Sequence, residues 1–199
     1  MTGLTRAQLL GRTAKGGAAL ALGGGLLAAE ASPAAAGIGP TDIPVVTLAL
    51  AGELLGVEFA TQALAAKVFD AAGTRQLTRA RFNDSQHYEG LAKILSAAGT
   101  TPGQAEDFDF TFPAKAFASR ASAARLGAQL ETTFLGIYLG GVASLQDADT
   151  RALFSRIAAS QAQHLGFFSG IAYGKPIGMS FPVALSVQDG SAALDPFIS

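Results

Sequence analysis

Apolar residues recur at helical spacing along four stretches of this chain, and residues that commonly start or stop helices flank each stretch. No stretch combines the strict alternation and the hairpin turns that predict paired strands. The pattern therefore predicts an all-α fold. The four helices are predicted at about residues 41–72, 75–98, 114–145 and 147–173, with the third beginning between Ala114 and Ser119.

The segment between the second and third predicted helices is too long for a tight turn. Residues 100–113 have turn residues and three phenylalanines but no helical period, so we expect an ordered segment packed by its aromatic side chains. It separates two helical hairpins, which predicts an up-and-down four-helix bundle over residues 37–174 with one longer crossover. Residues 175–199 contain prolines and short apolar groups, and we expect a tail packed on the bundle.

Polar side chains interrupt the apolar stripe of each predicted helix. The only two histidines each follow another polar residue by three positions, in the sequences DSQH and QAQH. A three-residue step places two side chains on the same face of a helix. The first and third helices each carry one glutamate on the stripe. The resulting set is Glu53, Asp84, His87, Glu131, Gln161 and His164.

The two hairpins look like an internal repeat. Asp84 follows Glu53 by 31 residues, and Gln161 follows Glu131 by 30. The stretch FDAAGTRQLTRARFNDSQH also parallels LQDADTRALFSRIAASQAQH in its turn, its arginine and its final histidine. Two related hairpins packed antiparallel about a pseudo-dyad would bring all six polar residues to one level of the bundle. The repeat therefore predicts one shared site.

The arrangement resembles the ferritin-like superfamily, in which two helices each supply a Glu and two others each supply a Glu-x-x-His pair to two metal ions. More narrowly, GELLGVEFATQAL, DSQHYEGL, FTFP, LETTFLGIYLGG and SQAQH resemble exported bacterial ferritin-like proteins related to desiccation-associated proteins, over residues 41–173. The resemblance implies two iron or manganese ions. It gives Glu53 and Glu131 bridging or terminal carboxylate roles, and it gives the paired positions to the two polar pairs ending in histidine.

Two residues depart from that pattern. Asp84 in place of Glu keeps the negative charge but shortens the side chain by one methylene. Gln161 in place of Glu removes a negative charge and supplies an amide, which binds hard metal ions weakly. A buried His beside an Asp or Gln is also commonly a hydrogen-bonded core pair without metal.

Two functions therefore stay open at this point. In one, the chain is a di-metal carboxylate protein that oxidises metal or reduces peroxide. In the other, it is a non-catalytic ferritin-like scaffold or stress-related binding protein whose polar core holds no metal. Whether the protein is an enzyme is left undecided by its sequence.

Three further polar or aromatic residues lie near the predicted site. Glu58 could lend a carboxylate or point to solvent, and we rank it below Glu53 because its helical neighbours include Thr61 and Gln62. Tyr88 and Tyr138 could be redox-active neighbours of a metal, although aromatic residues on a bundle stripe usually serve packing.

Composition excludes several other classes of function. A formal net charge of -1 and the lack of a basic block argue against nucleic-acid binding. The absence of cysteine excludes disulfides, iron–sulfur clusters and thiol catalysis. No nucleophile elbow, nucleotide fingerprint or zinc-protease motif is present. Hydrolase and dehydrogenase chemistry are therefore unsupported.

The N-terminal 36 residues have the features of a secretory signal peptide. Arg6, Arg12 and Lys15 precede a short apolar run at residues 16–29, and small residues surround Ala34 and Ala36. The mild, glycine-rich run resembles twin-arginine signals, although the arginines are not adjacent. We therefore predict an exported protein with no stable membrane span after cleavage. A homo-oligomer is compatible with the fold, but nothing in the sequence predicts a storage cage.

Overall fold

The fold is described here from a computed structural model, which places residues 37–198. That part of the chain forms five α-helices and a short 3₁₀ turn, and it contains no strand. The all-α prediction is confirmed, whereas the predicted signal peptide lies outside the described residues. The helices are α1 (Ile43–Ala65), α2 (Ala71–Ala97), α3 (Arg120–Ser144), α4 (Ala148–Tyr173) and α5 (Val187–Leu194), with the 3₁₀ turn at Ala105–Asp107.

The four long helices form a bundle of two hairpins. α1 packs closely on α2, and α3 on α4, while the hairpins meet through α1 against α3 and α2 against α4. α1 and α3 run in opposite directions, because Val45 near the start of α1 lies beside Gly141 near the end of α3. The predicted ferritin-like up-and-down bundle of two hairpins is thus confirmed.

The crossover between α2 and α3 runs along the bundle from one end to the other. The Tyr88 hydroxyl donates a hydrogen bond to the carbonyl oxygen of Gly103 at 3.2 Å. Further along, Phe112 packs edge-on against Phe59 and Phe117. The Thr111 N–H donates to the carbonyl oxygen of Phe197 at 2.9 Å. These contacts confirm the expected long crossover and hold it against the bundle.

Helix α1 is the most deeply buried of the long helices. It is long and apolar enough to cross a membrane by length and composition, but most of its apolar stretch is covered by the rest of the bundle. A central helix of a packed bundle passes the same test. Burial on nearly all sides also explains why the apolar stripe of α1 includes residues such as Phe59 and Ala63, which the helical spacing did not single out.

The predicted boundary between the first two helices was wrong. α1 ends at Ala65 rather than near residue 72, because Lys67 adopts a left-handed backbone conformation with φ of 54°. α2 then begins at Ala71, where the Asp70 side chain accepts a hydrogen bond from the Gly73 N–H at 2.7 Å. Gly73 thus lies in the first turn of α2 and does not end α1.

Residues 175–186 cross the outer face of the second hairpin, and α5 follows them. The Leu185 N–H donates to the carbonyl oxygen of Gly136 at 2.8 Å. A side chain at Gly140 would collide with the Leu185 carbonyl, so glycine permits this close approach. Helix α5 was not predicted, although its Ser186 cap, which accepts from the Asp189 N–H at 3.1 Å, is visible as Ser-x-x-Asp in the sequence.

Part of this crossing segment exposes large apolar side chains. The exposed fractions are 90% for Ile177, 65% for Met179, 90% for Phe181 and 66% for Val183. Singly exposed apolar residues are common on protein surfaces, but a run of four within seven residues is not.

Candidate metal centre

The six predicted site residues meet in the middle of the bundle. The glutamates come from α1 and α3, and the two polar pairs come from α2 and α4. Five of the six are buried, and His87 is half-buried. Antiparallel packing of the two hairpins puts the midpoints of all four helices at one level. The residues concerned are Glu53, Asp84, His87, Glu131, Gln161 and His164.

One group of three potential ligands lies on the α1–α2 side. His87 Nδ1 lies 3.3 Å from Glu53 Oε2 and 3.8 Å from Asp84 Oδ1. We call this group, Glu53 with Asp84 and His87, the His87 position.

A second group lies on the α3–α4 side and shares one residue with the first. His164 Nδ1 lies 3.5 Å from Asp84 Oδ1 and 3.6 Å from Glu131 Oε1. We call Asp84, Glu131 and His164 the His164 position. In each group the ligand atoms lie within 4.8 Å of one another, close enough to bind one ion. Asp84 therefore occupies the middle of the centre, with one glutamate at either end.

Several buried atoms of the centre have no hydrogen-bond partner. They are Asp84 Oδ1, Glu131 Oε2, Gln161 Oε1 and His164 Nδ1. Each can offer a lone pair, and leaving such an atom buried and unpaired costs about 1–3 kcal/mol. Four such atoms on neighbouring residues would be an unfavourable arrangement for a core whose only purpose is packing.

Two donors hold the remaining oxygen of Glu53. The Tyr138 hydroxyl donates a short hydrogen bond to Glu53 Oε1, and Gln161 Nε2 donates to the same oxygen at 3.1 Å. Tyr138 is buried and also packs edge-on against Phe154. Its ring therefore packs in the core, as we expected, while its hydroxyl reaches the centre.

Asn83 fixes the other side of His164. The Asn83 side-chain nitrogen, Nδ2, lies 3.2 Å from His164 Nε2 and, as placed, donates a hydrogen bond to it. With the amide turned end for end, Oδ1 faces the ring, Nε2–H donates to it, and the lone pair on Nδ1 is left for a cation, as in most protein metal sites with histidine ligands. The residue that precedes Asp84 on α2 therefore orients a histidine on α4.

Burial and mutual repulsion raise the pKa values of two acids of the centre. Burial raises the pKa of Asp84 well above its ordinary value of 3.8, and the charges of Glu53 and Glu131 raise it further. Burial, followed by the charge of Glu53, likewise raises the pKa of Glu131. Burial and the nearby Glu53 carboxylate raise the pKa of Tyr138 as well. Without a cation the centre thus favours protonated acids.

A glycine makes room for the central carboxylate. A Cβ atom at Gly56 would lie 3.0 Å from Asp84 Oδ2 and 3.4 Å from a ring carbon of Phe134. A side chain there would press on the Asp84 carboxylate and the Phe134 ring, which would have to shift by a few tenths of an ångström.

Two residues weighed as neighbours lie outside the centre. Glu58 Oε1 accepts a hydrogen bond from Gln62 Nε2 at 2.8 Å and belongs to neither group. Tyr88 anchors the crossover through Gly103.

Comparison with protein families agrees with this geometry. A family model described as the ferritin-like domain matches residues 41–174, which cover all four long helices. The chain belongs to this family. Comparison with curated proteins gives no match.

The residues of this ferritin-like domain fit a pair of metal ions. Ligands of one first-row ion lie roughly 2.0–2.2 Å from it, so two of them lie about 3–4 Å apart, as the ligand atoms do here. Imidazole suits iron and carboxylate suits manganese, and both kinds of ligand are present. The unpartnered atoms described above are buried, and a cation bound by these residues would satisfy those that it contacts. The donor set supports two ions with one shared carboxylate.

Sequence reasoning missed three residues of the ferritin-like centre. Asn83 and Gly56 were not considered, and the hydroxyl contact of Tyr138 was not foreseen. A polar residue immediately before Asp84 and a glycine three residues after Glu53 are visible in the sequence. Their roles depend on contacts between helices, which the spacing along one helix does not determine.

Proposed function

We propose that this ferritin-like protein binds two divalent iron or manganese ions and uses them to oxidise metal or to reduce peroxide. The observation that carries the proposal is that two groups of three buried or half-buried ligands each bring their ligand atoms within 4.8 Å of one another, and that several atoms of these residues have no hydrogen-bond partner. Glu53 and Glu131 would be terminal ligands of separate ions, Asp84 would be shared, and each histidine would bind one ion.

The protein groups have distinct parts in this proposal. Asn83 would hold the His164 ring so that Nδ1 faces its ion, and Gly56 would keep space for Asp84. The surrounding core, which includes Phe134 and Phe154, excludes bulk water. When bound by these residues, two ferrous ions would supply the two electrons that, with two protons, reduce hydrogen peroxide to two molecules of water.

Elemental analysis tests the proposal directly. We expect about two ions per chain after loading with Fe(II) or Mn(II) and removal of excess metal, and about one fewer after either His87→Ala or His164→Ala. Gln86→Ala is the matched control, because Gln86 is exposed and adjacent to His87. A wild-type protein that stays metal-free after both loadings would overturn the proposal.

One observation favours the alternative of a metal-free scaffold. Gln161 and Tyr138 already satisfy one oxygen of Glu53 by hydrogen bonds. A stress-related binding or structural protein could retain such a network without metal. In that case loading would leave no bound metal, and both histidine variants would keep wild-type composition while changing only stability.

We also propose that the chain is exported and is of the desiccation-related type. The basic residues, short apolar run and small residues of the first 36 positions support export. Expression of the full chain in a bacterial host, followed by fractionation and mass measurement, tests it. We expect a product outside the cytoplasm that begins near residue 37. Retention of the intact chain in the cytoplasm would contradict export.

Finally, we propose self-association through the apolar segment at residues 177–183. Four large side chains there present on the order of 500 Å² of apolar surface, within the range of the largest patch on a typical monomer, and such patches often serve binding. Residues 176–187 contain no charge, so two copies would meet without repulsion. A standard dimer buries about 800 Å² on each partner, which this segment and its surroundings can supply.

A further inference from the structure

The two candidate metal positions share Asp84 but hold their other carboxylate differently. In the His87 position, Glu53 Oε1 accepts hydrogen bonds from the Tyr138 hydroxyl and from Gln161 Nε2. One carboxylate oxygen has two lone pairs, so both are in use. Only Oε2 remains for an ion, which would replace the hydrogen bond that joins Oε2 to His87 Nδ1 at 3.3 Å. Glu53 is therefore limited to binding through one oxygen.

The His164 position has no such restriction. No described residue donates a hydrogen bond to Glu131 Oε2, which is buried, and His164 Nδ1 is also unpartnered. Glu131 Oε1 lies 3.6 Å from that nitrogen. Both oxygens of Glu131 can therefore bind one ion. An empty His164 position leaves more buried polar atoms unsatisfied than an empty His87 position does, so an ion stabilises it more.

Gln161 increases the difference in affinity between the two metal positions. It takes the place in the second hairpin that Asp84 takes in the first, so only one carboxylate lies between the two positions. A second ion must share a charge that the first ion has already neutralised, and it is repelled by that ion. The His87 side chain is also 15% exposed, against 7% for His164, which opens its position to water.

We propose that the centre loads unequally: the His164 position binds the first ion tightly, the His87 position binds an exchangeable second ion, and Gln161 and Tyr138 set the difference as positioning residues. This inference rests on the proposed two-metal function. It assigns the exchangeable ion to the half of the centre that solvent reaches.

Titration of the full chain with Mn(II) tests the inference. Calorimetry and electron paramagnetic resonance monitor the binding at each addition. We expect two steps whose dissociation constants differ by at least about tenfold. His87→Ala should abolish the weak step and keep the tight one, whereas His164→Ala should abolish the tight step. Two equal sites, or loss of the tight step in His87→Ala, would overturn this inference while leaving the two-metal function intact. No binding at all would overturn both.

Variants at Gln161 and Tyr138 test whether these positioning residues cause the difference in affinity. Gln161→Glu adds a shared carboxylate and should tighten the second step by about tenfold or more, bringing the two steps together. Gln163→Glu, an exposed change on the same helix with the same added charge, should leave both steps unchanged. Tyr138→Phe frees one lone pair of Glu53 and should also reduce the difference between the dissociation constants of the two steps. If the ratio of the two dissociation constants stays at its wild-type value in both Gln161→Glu and Tyr138→Phe, these residues do not determine it.

Should Gln161→Glu fail to fold, circular dichroism will reveal it. The two histidine variants, which carry no added charge, then decide the order of loading.

Discussion

At the scale of single residues, the centre places three carboxylates and two imidazoles in a nearly dry space. Asp84 is the residue that connects its two halves, since its Oδ1 faces both His87 and His164. Like charges this close, with little water, are stable only when protons or cations neutralise them. Protonation and metal binding therefore compete for the same oxygens.

The stability of the metal-free protein should fall as pH rises. The pKa values of Asp84 and Glu131 are raised in the folded state, so these groups keep protons that the unfolded chain loses above its ordinary values of 3.8 and 4.5. The unfolded state then binds fewer protons, and the free energy of unfolding decreases with pH from that range upward through the raised pKa values.

Urea midpoints measured with a chelator across a pH series check this expectation. Glu131→Gln should reduce the slope, because one of the two groups no longer titrates. A midpoint that rises with pH over this range, or an unchanged slope in Glu131→Gln, would contradict it. Metal affinity should change in the opposite sense and increase with pH, since ions must displace the same protons.

Asn83 should control the affinity of the His164 position. Asn83→Ala removes the partner of His164 Nε2, and loss of such a partner typically weakens metal binding about 10–100-fold. Asn83→Asp, which still accepts from Nε2–H, should restore most of the affinity. Competition with a chelator measures the effect, and Ser85→Ala, whose hydroxyl bonds only to the Arg81 carbonyl oxygen, is the control. Equal metal affinities in the wild type and in all three variants would show that Asn83 does not orient His164.

At the scale of helices, one buried carboxylate joins the start of α1 to the connection between α3 and α4. Asp42 is almost fully buried, and its oxygens accept from the Gln146 N–H at 3.0 and 3.1 Å and from the Asp147 N–H at 3.0 Å. Asp42 is the N-cap residue of α1, but its side chain makes no cap hydrogen bond within that helix. It fastens one hairpin to the other.

Asp42→Ala should therefore destabilise the protein by about 2–4 kcal/mol, because two partly buried N–H groups lose a charged acceptor. Urea unfolding of the purified protein measures the loss. Asp149→Ala is the matched control, since Asp149 is exposed in the first turn of α4 and should cost less than about 1 kcal/mol. Equal losses in the two variants would show that Asp42 does not fasten the hairpins.

Helix boundaries were predictable where local capping determines them. Ser119 caps α3 with a hydrogen bond from the Ser122 N–H at 3.1 Å, and Asp147 caps α4 from the Thr150 N–H at 2.8 Å. Both lie where the sequence places a helix start. The turn between α1 and α2 was misplaced because Gly73 can end one helix or lie in the first turn of the next, and only the partner of Asp70 decides which.

The candidate centre was predictable for a different reason. An acid or amide three residues before a histidine must share its helix face, so the spacing alone selected Asp84 with His87 and Gln161 with His164. Which oxygen of Glu53 is free, by contrast, depends on side chains from α3 and α4. The rotation of each helix about its own axis decides such contacts, and periodicity does not specify it.

At the scale of the whole molecule, the proposal that the chain dimerises through the exposed segment at residues 177–183 can be tested. We expect reversible dimers in sedimentation experiments over a range of concentrations. Ile177→Ser with Phe181→Ser should yield monomers, since both side chains are 90% exposed. Phe82→Ser, which removes an aromatic ring that is 52% exposed on α2, is the control and should still dimerise. A wild type that stays monomeric at every concentration would exclude this interface.

The hydrogen bond from Thr111 to Phe197 and the neighbouring bridge between Phe110 and Ile198 affect the order in which the chain can assemble. Phe197 is synthesised 86 residues after Thr111. At about 5–20 residues per second, the crossover waits roughly 4–17 seconds for this partner. During that interval its phenylalanines lack part of their cover. The crossover can therefore gain this hydrogen bond only after Phe197 has been made, and a chain clipped before that residue would leave the crossover without it.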